Sequence, residues 1–229
     1  MSGQGIRIDS RAGGSFECYL AMPSGSDKVP AIVLASAVHG VDRDIRDIAD
    51  AFASQGYIAA APDLFWRSIP GPLARDDKRA GERSQPRLEK IKAGEADMAD
   101  TLAEVRKLAQ HNGRAAVIGF CYGGPYAILG PKRLGYDAGI SCHGTQMLDF
   151  VHELEGVRRR CASSGATRIS PRRHRCAKPT RPRPRGWPIS ISMFFPACCT
   201  ATCSRATRKP SRPRRGSSRW RAPSRFSTG

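Results

Sequence analysis

At 229 residues the chain is long enough for one domain with a sizeable core and too short for two comfortable ones. Its net charge of +18 would point to a nucleic-acid or anionic-surface partner if it were spread over the fold. It is not: residues 1–157 hold 18 Lys and Arg against all 20 Asp and Glu, whereas residues 158–229 hold 20 Lys and Arg and no acid. A uniformly basic protein is thereby excluded.

The front part carries Cys18, Cys121 and Cys142, and the other five cysteines fall in the tail. Three scattered cysteines make no disulfide framework, and no pair has metal-ligand spacing, so no metal is expected. A reducing, cytoplasmic setting fits them best. Met1 to Gly5 shows no basic stretch leading into an apolar one, so no signal peptide is expected. No apolar run approaches the ~20 residues of a membrane span.

In chain order, residues 16–22 alternate as an edge strand, and Pro23-Ser24-Gly25-Ser26 turns the chain. Residues 30–36 form a short, nearly all-apolar run, the pattern of a strand buried on both faces. Residues 43–55 put Ile45, Ile48, Ala49 and Phe52 at helical spacing, and Gly56 stops that helix. A second buried strand covers 57–61 and ends at Pro62-Asp63. The polar, Arg-rich stretch from Arg67 to Arg87 reads as an excursion over the surface. A long helix is predicted over 88–110, with Ile91, Met98, Leu102, Val105 and Leu108 near one face. Residues 115–120 are the third buried strand and 135–142 the fourth. Strand and helix alternate, which predicts a mostly parallel sheet covered by helices on both faces.

The third strand runs straight into Gly119-Phe120-Cys121-Tyr122-Gly123-Gly124, the nucleophile-elbow pattern with Cys in place of Ser. A nucleophile on a strained turn needs small residues two before and two after it, and Gly119 and Gly123 meet that need. Cys121 would then project at the C-terminal edge of the sheet, where open α/β sheets bind ligands. It would also lie at a helix N-terminus, whose dipole favours a thiolate. The amide of Tyr122 would donate to an oxyanion. The alternative is a buried cysteine in a Gly-rich turn with no chemistry.

These landmarks carry a resemblance. Pro30-Ala31-Ile32-Val33-Leu34, then Gly40-Val41, then Gln55-Gly56-Tyr57 leading to Ala61-Pro62-Asp63-Leu64, and finally the elbow, come in order at sensible spacing. Together they resemble the dienelactone hydrolase (carboxymethylenebutenolidase-like) family over residues 1–157. The resemblance implies a single-domain α/β-hydrolase that opens lactones and esters with a Cys-Asp-His triad and no cofactor, acting on a small molecule. It makes Cys121 the nucleophile and the amide of Val38, in the loop after Ser36, the second oxyanion donor. The chain also departs from the family. A Glu that interacts with the thiol is replaced by Ala37, and the neighbouring aromatic position is His39. The family's carboxylate-binding Arg falls near Arg83, or Arg87 if the gap is placed differently; a solvated surface Arg is the alternative for either. His143, at a strand end, either lines the pocket or is structural. The departures bear on the dienelactone substrate and leave ester or lactone hydrolysis standing.

A Cys nucleophile needs a base, and the base an orienting acid. The family places both after the strand near residue 140, but no Asp or Glu follows Glu155, and the one later His is His174, inside Arg172-Arg173-His174-Arg175. The domain expected over 1–157 is therefore a partial, truncated one, and 158–229 an irregular or disordered tail. That tail has three readings: a basic extension binding nucleic acid, a divergent domain, or the product of a reading-frame shift. About an eighth of ordinary residues are acidic, so 72 in a row without one has odds on the order of one in ten thousand.

The genetic code favours the frame shift. Reading the codons of Trp187 to Thr202 from their third nucleotides permits A-N-L-D-I-H-V-F-P-G-V-L-H-G-Y, a strand followed by the His-Gly corner that the family uses for its base. Reading Cys161 to Ile169 likewise permits R-I-I-W-G-D-Q-D, a buried strand ending in Gly-x-x-Asp, where the family keeps its acid. Both arise in the same frame and in the right order. The switch would lie at 155–160, the lost Asp codon would straddle Arg168 and Ile169, and the lost His codon Cys199 and Thr200. The chain as it stands is then expected to be crippled, with a sheet short of its last two strands.

Overall fold

The computed structural model describes residues 3–155 and 160–164. The first two strands, β1 (Gln4–Asp9) and β2 (Ser15–Ala21), form an antiparallel hairpin. There follow β3 (Val29–Ala35), α1 (Arg43–Ser54), β4 (Ile58–Pro62), the short α2 (Arg79–Glu82) and the long α3 (Arg87–Lys107). The second half contains β5 (His111–Phe120), α4 (Tyr126–Leu129), β6 (Ala138–Cys142) and β7 (Arg160–Ser164). The seven strands form one sheet in the order β1-β2-β4-β3-β5-β6-β7. β3, β4, β5, β6 and β7 pair in parallel, while β2 is antiparallel to its neighbours.

The apolar runs fall where burial on both faces requires them. Ile32 to Ala35 and all of Ile58 to Ala61 lie inside, as do Ala115 to Ile118. α1 starts at Asp42, whose side chain accepts from the Ile45 amide at 3.1 Å, and it buries Ile45, Ala49 and Phe52. Gly56, at φ +85°, ends it as expected. α3 buries Ile91, Met98, Leu102 and Val105. Its fully buried Asp97 is held by four hydrogen bonds, from Ser10 Oγ (3.0 Å), Trp66 Nε1 (3.0 Å) and both terminal nitrogens of Arg67 (2.5 and 3.0 Å). A carboxylate so deep needs such a set, since a charge left unpaired there would cost several kcal/mol.

Four readings of the sequence need correction. The 16–22 segment is not the edge: β1 lies outside it, with Ile8 turned into the core. β1 escaped notice because only one of its six residues is fully buried, which leaves almost no apolar alternation. The long helix stops at Lys107 with Leu108 as its C-cap, and β5 begins at His111, earlier than the apolar run suggested. The Arg67–Arg87 stretch is not simply surface, because Ala80, Arg83 and Ser84 are buried in it. Finally, residues expected to be irregular contribute a strand: β7 adds to the open edge of β6, pairing Ala138 with Arg160 through Cys142 with Ser164. An unpaired parallel edge offers a row of free amides and carbonyls to any extended segment that follows it. The rest of the tail, including His174, Arg168, Ile169, Cys199 and Thr200, lies outside the described residues.

Candidate active site

β5 delivers the chain to Cys121, which takes a φ of +47° at the head of a 3₁₀ turn spanning Cys121–Gly123. A non-glycine residue in the left-handed region is uncommon and costs of order 1–3 kcal/mol, so it persists only where its surroundings over-determine it. Here they do. A Cβ on Gly119 would lie 2.1 Å from the Gly123 carbonyl oxygen, and one on Gly123 would lie 2.2 Å from that of Ala35. The turn is thus wedged against the end of β3. Cys121 is half-buried, whereas Cys18 and Cys142 are buried. Burial pushes the Cys18 thiol up to about 12.

The second wall is the loop after β3. Ala35 of β3 registers with Gly119 of β5. Val38 and Tyr122 each follow three residues later, so both loops leave the same sheet edge side by side. Neither the Val38 nor the Tyr122 amide donates to another described residue. Arg83 fixes the Val38 loop from behind. Its Nε donates to the Val38 carbonyl at 2.8 Å, and its Nη1 donates to those of Ile69 (2.9 Å) and Gly71 (2.7 Å). The residue is 2% exposed, so the reading of Arg83 as a solvated surface arginine is overturned. Its guanidinium lies 4.2 Å from the centre of the Phe65 ring, and Phe65 in turn packs 4.7 Å from Tyr122. Burial lowers the pKa of Arg83, while Asp63 nearby acts in the opposite direction.

Arg87 completes a stack on the far side, 4.9 Å from the Tyr122 ring centre. It donates to the carbonyls of Tyr122 (3.4 Å) and Thr145 (3.3 Å) and to Thr145 Oγ1. Thr145 closes on the elbow, its amide donating to the Cys121 carbonyl at 3.0 Å. Arg83 Nη2, Arg87 Nε and the Tyr122 hydroxyl are buried without a hydrogen-bond partner among the described residues. Burial pushes the Tyr122 phenol up to about 12, with Arg87 opposing.

The histidines are more peripheral. His39 Nδ1 lies 3.1 Å from the Ala74 carbonyl, which can only accept, so that nitrogen carries the proton. His143 is exposed, in the loop after β6, with φ +52°. Ala37 occupies the Val38 loop where an acid was expected by resemblance. The structure thus gathers Cys121, Tyr122, Val38 and Arg83 at one edge and adds Thr145, which no local pattern had marked. No group of three or more His, Cys, Asp or Glu able to hold a metal occurs among the described residues, and no described helix is long and apolar enough to cross a membrane.

A mostly parallel, helix-covered sheet with a cysteine on a left-handed elbow after β5 defines an α/β hydrolase fold. Within that class, the chain belongs to the dienelactone hydrolase family, whose profile matches residues 16–159. It is 33% identical over 163 residues to carboxymethylenebutenolidase 1 of Cupriavidus pinatubonensis, covering 69% of each protein. It is 31% identical over 128 residues to the carboxymethylenebutenolidase of Pseudomonas sp. strain P51, where the match spans 54% of this chain and 53% of that one. Among solved structures, the one named m3DLH superposes with a TM-score of 0.56 at 21% identity, covering 71% of this chain and 68% of that one. At that identity the likeness speaks for the fold.

Proposed function

We propose that this domain is built to hydrolyse a small ester or lactone through Cys121, and that the chain as it stands is impaired because it lacks the acid and base of the triad. The observation that carries the reading is the left-handed Cys121, wedged between glycines that admit no side chain. The thiolate sulfur attacks the ester carbonyl carbon, and the amides of Val38 and Tyr122 stabilise the oxyanion that forms. The C–O bond then breaks, the leaving alkoxide takes a proton, and water hydrolyses the thioester. Arg83 serves this step by holding the Val38 carbonyl, which aims the amide on its other side of the loop. Its Nη2, buried without a partner among the described residues, is the group that the reading of Arg83 as substrate-binding would use once a substrate displaces the chain around it, and His39 and His143 remain the other substrate-binding candidates. The relatives named carboxymethylenebutenolidase support a lactone as the kind of substrate.

The impairment rests on the content of the tail. No Asp or Glu follows Glu155. β7, formed by the first residues of this tail, ends level with the elbow, Ser164 registering with Cys142 and Cys142 with Phe120. The position read as the lost Asp codon, at Arg168 and Ile169, comes four residues further on. Without a base, acylation by an activated ester outruns hydrolysis of the thioester. Incubation with a p-nitrophenyl ester is therefore expected to leave one acyl group on the tryptic peptide Ala115–Lys132, read by mass spectrometry. Absence of that label, with p-nitrophenol release unchanged in Cys121→Ala, would defeat the assignment. The second reading, nucleic-acid binding through residues 158–229, is favoured by their 20 Lys and Arg alone. Tight, salt-dependent DNA binding that is lost on deleting the tail would support it.

A further inference from the structure

Among the described residues, the Cys121 sulfur has a single side-chain hydrogen-bond partner, Thr145 Oγ1 at 4.0 Å, the outer limit for sulfur. Thr145 is brought there by topology. β5 and β6 register Phe120 with Cys142, and the chain then turns sharply, with left-handed backbone at His143 and Gln146. Between them Gly144 has no room for a side chain, since a Cβ would lie 2.2 Å from Ser141 Oγ. The turn delivers both the amide and the hydroxyl of Thr145 to the Cys121 carbonyl, at 3.0 and 3.2 Å. From the other side Arg87 Nη2 donates to Thr145 Oγ1.

The donor inventory settles which way the hydroxyl hydrogen points. A guanidinium has donors only, so Thr145 Oγ1 accepts from Arg87 and its own hydrogen must go elsewhere. It meets two acceptors, the Cys121 carbonyl oxygen and Sγ. A neutral thiol is the poorer of the two, and the carbonyl holds the hydrogen. A thiolate is a charged acceptor and draws it over by a rotation of the hydroxyl alone. A hydroxyl polarised by a guanidinium is also a stronger donor than an isolated one.

Resting on the assignment of Cys121 as nucleophile, we infer that Thr145 is a catalytic residue whose hydroxyl, oriented by Arg87, donates to the Cys121 thiolate and favours it at neutral pH. Arg87 is the positioning residue. No proton passes through Thr145: the thiol proton leaves to solvent, and the hydroxyl keeps its own. The device suits a site whose first loop carries Ala37 in place of an acid. The charged and titratable groups on the surrounding elements are Arg83 at the end of α2, Arg87 at the start of α3, the Tyr122 phenol next to Cys121, His39 from the loop after β3, and His143 from the loop after β6. No carboxylate among the described residues hydrogen-bonds to Cys121 or Thr145.

The test is alkylation of the full chain by iodoacetamide, followed on peptide Ala115–Lys132, in which Cys121 is the sole cysteine. Thr145→Val is expected to slow alkylation about fivefold at neutral pH, with the gap narrowing as pH rises into the alkaline range. Thr145→Ser keeps the hydroxyl and the parental rate, and Arg87→Met slows the reaction in the same direction by a smaller factor. Thr145→Ala provides a second hydroxyl-free variant should the valine disturb folding. Parental rates in both hydroxyl-free variants, or slowing by the same factor at neutral and alkaline pH, would overturn the role of Thr145. A parent Cys121 no more reactive than in the denatured chain would instead remove the nucleophile assignment beneath it.

Discussion

The two parts of this chain differ in what their residues can be held to. In residues 1–157 acids and bases nearly balance, apolar runs fall on registered strands, and glycines sit where a side chain would collide with backbone. In residues 158–229 the charge has one sign. On the proposed reading, the contrast divides the site along the sequence: the nucleophile and both oxyanion donors come from the loops that follow β3 and β5, and acid and base are supplied later. A change confined to the late segment therefore leaves the first half of the site standing and removes the second half whole.

The largest effect is expected from damage to the front part alone. Gly123→Ala places a Cβ 2.2 Å from the Ala35 carbonyl oxygen. Neither backbone can give way without opening β3 from the elbow, so a loss above ~4 kcal/mol is expected in urea unfolding. Gly25→Ala, at φ +107° with open space around it, should cost only about 1 kcal/mol. Equal effects would mean that the wedge at the elbow is not tight.

Next in size is Arg83→Met. It removes three donors from half-buried carbonyls and should cost about 3 kcal/mol in the same measurement. Arg83→Lys should rescue little, because an ammonium lacks the planar fork that reaches three carbonyls in two loops at once. A smaller effect concerns alkali. The buried Cys18 thiol ionises near 12 rather than 9.0, so over that interval the unfolded chain gives up its proton first and stability falls as pH rises. Cys18→Ala should lose less stability than the parent between those pH values; an identical slope would contradict the burial argument. The smallest effect is expected from deleting residues 174–229, which should change stability by less than about 0.5 kcal/mol. A large loss would show that the tail contributes to the fold.

Much of this was legible without coordinates, for reasons that differ from residue to residue. The elbow could be read because its requirements are local: a strand, a nucleophile and glycines at fixed offsets. Buried parallel strands announced themselves as apolar runs. Arg83 could not be assigned, because what it holds, the Val38 carbonyl, is 45 residues away, and an arginine among other arginines carries no sign of burial. Thr145 was invisible for the same reason: it reaches Cys121 across the β5–β6 register and a turn whose left-handed positions fall on His and Gln rather than on glycine. β1 was missed because a hairpin edge with one fully buried residue has no period to detect.

On the proposed reading Cys121 sits in a working half-site whose partner half has been lost. The most direct measurement compares p-nitrophenyl ester turnover by this chain with turnover by one whose reading frame is restored from residue 156 onward. Restoring the frame is expected to raise kcat about a thousandfold or more, and Cys121→Ala to abolish the gain. Equal turnover by the two chains, or a restored frame that encodes no Asp and His at the positions now held by Arg168–Ile169 and Cys199–Thr200, would contradict it.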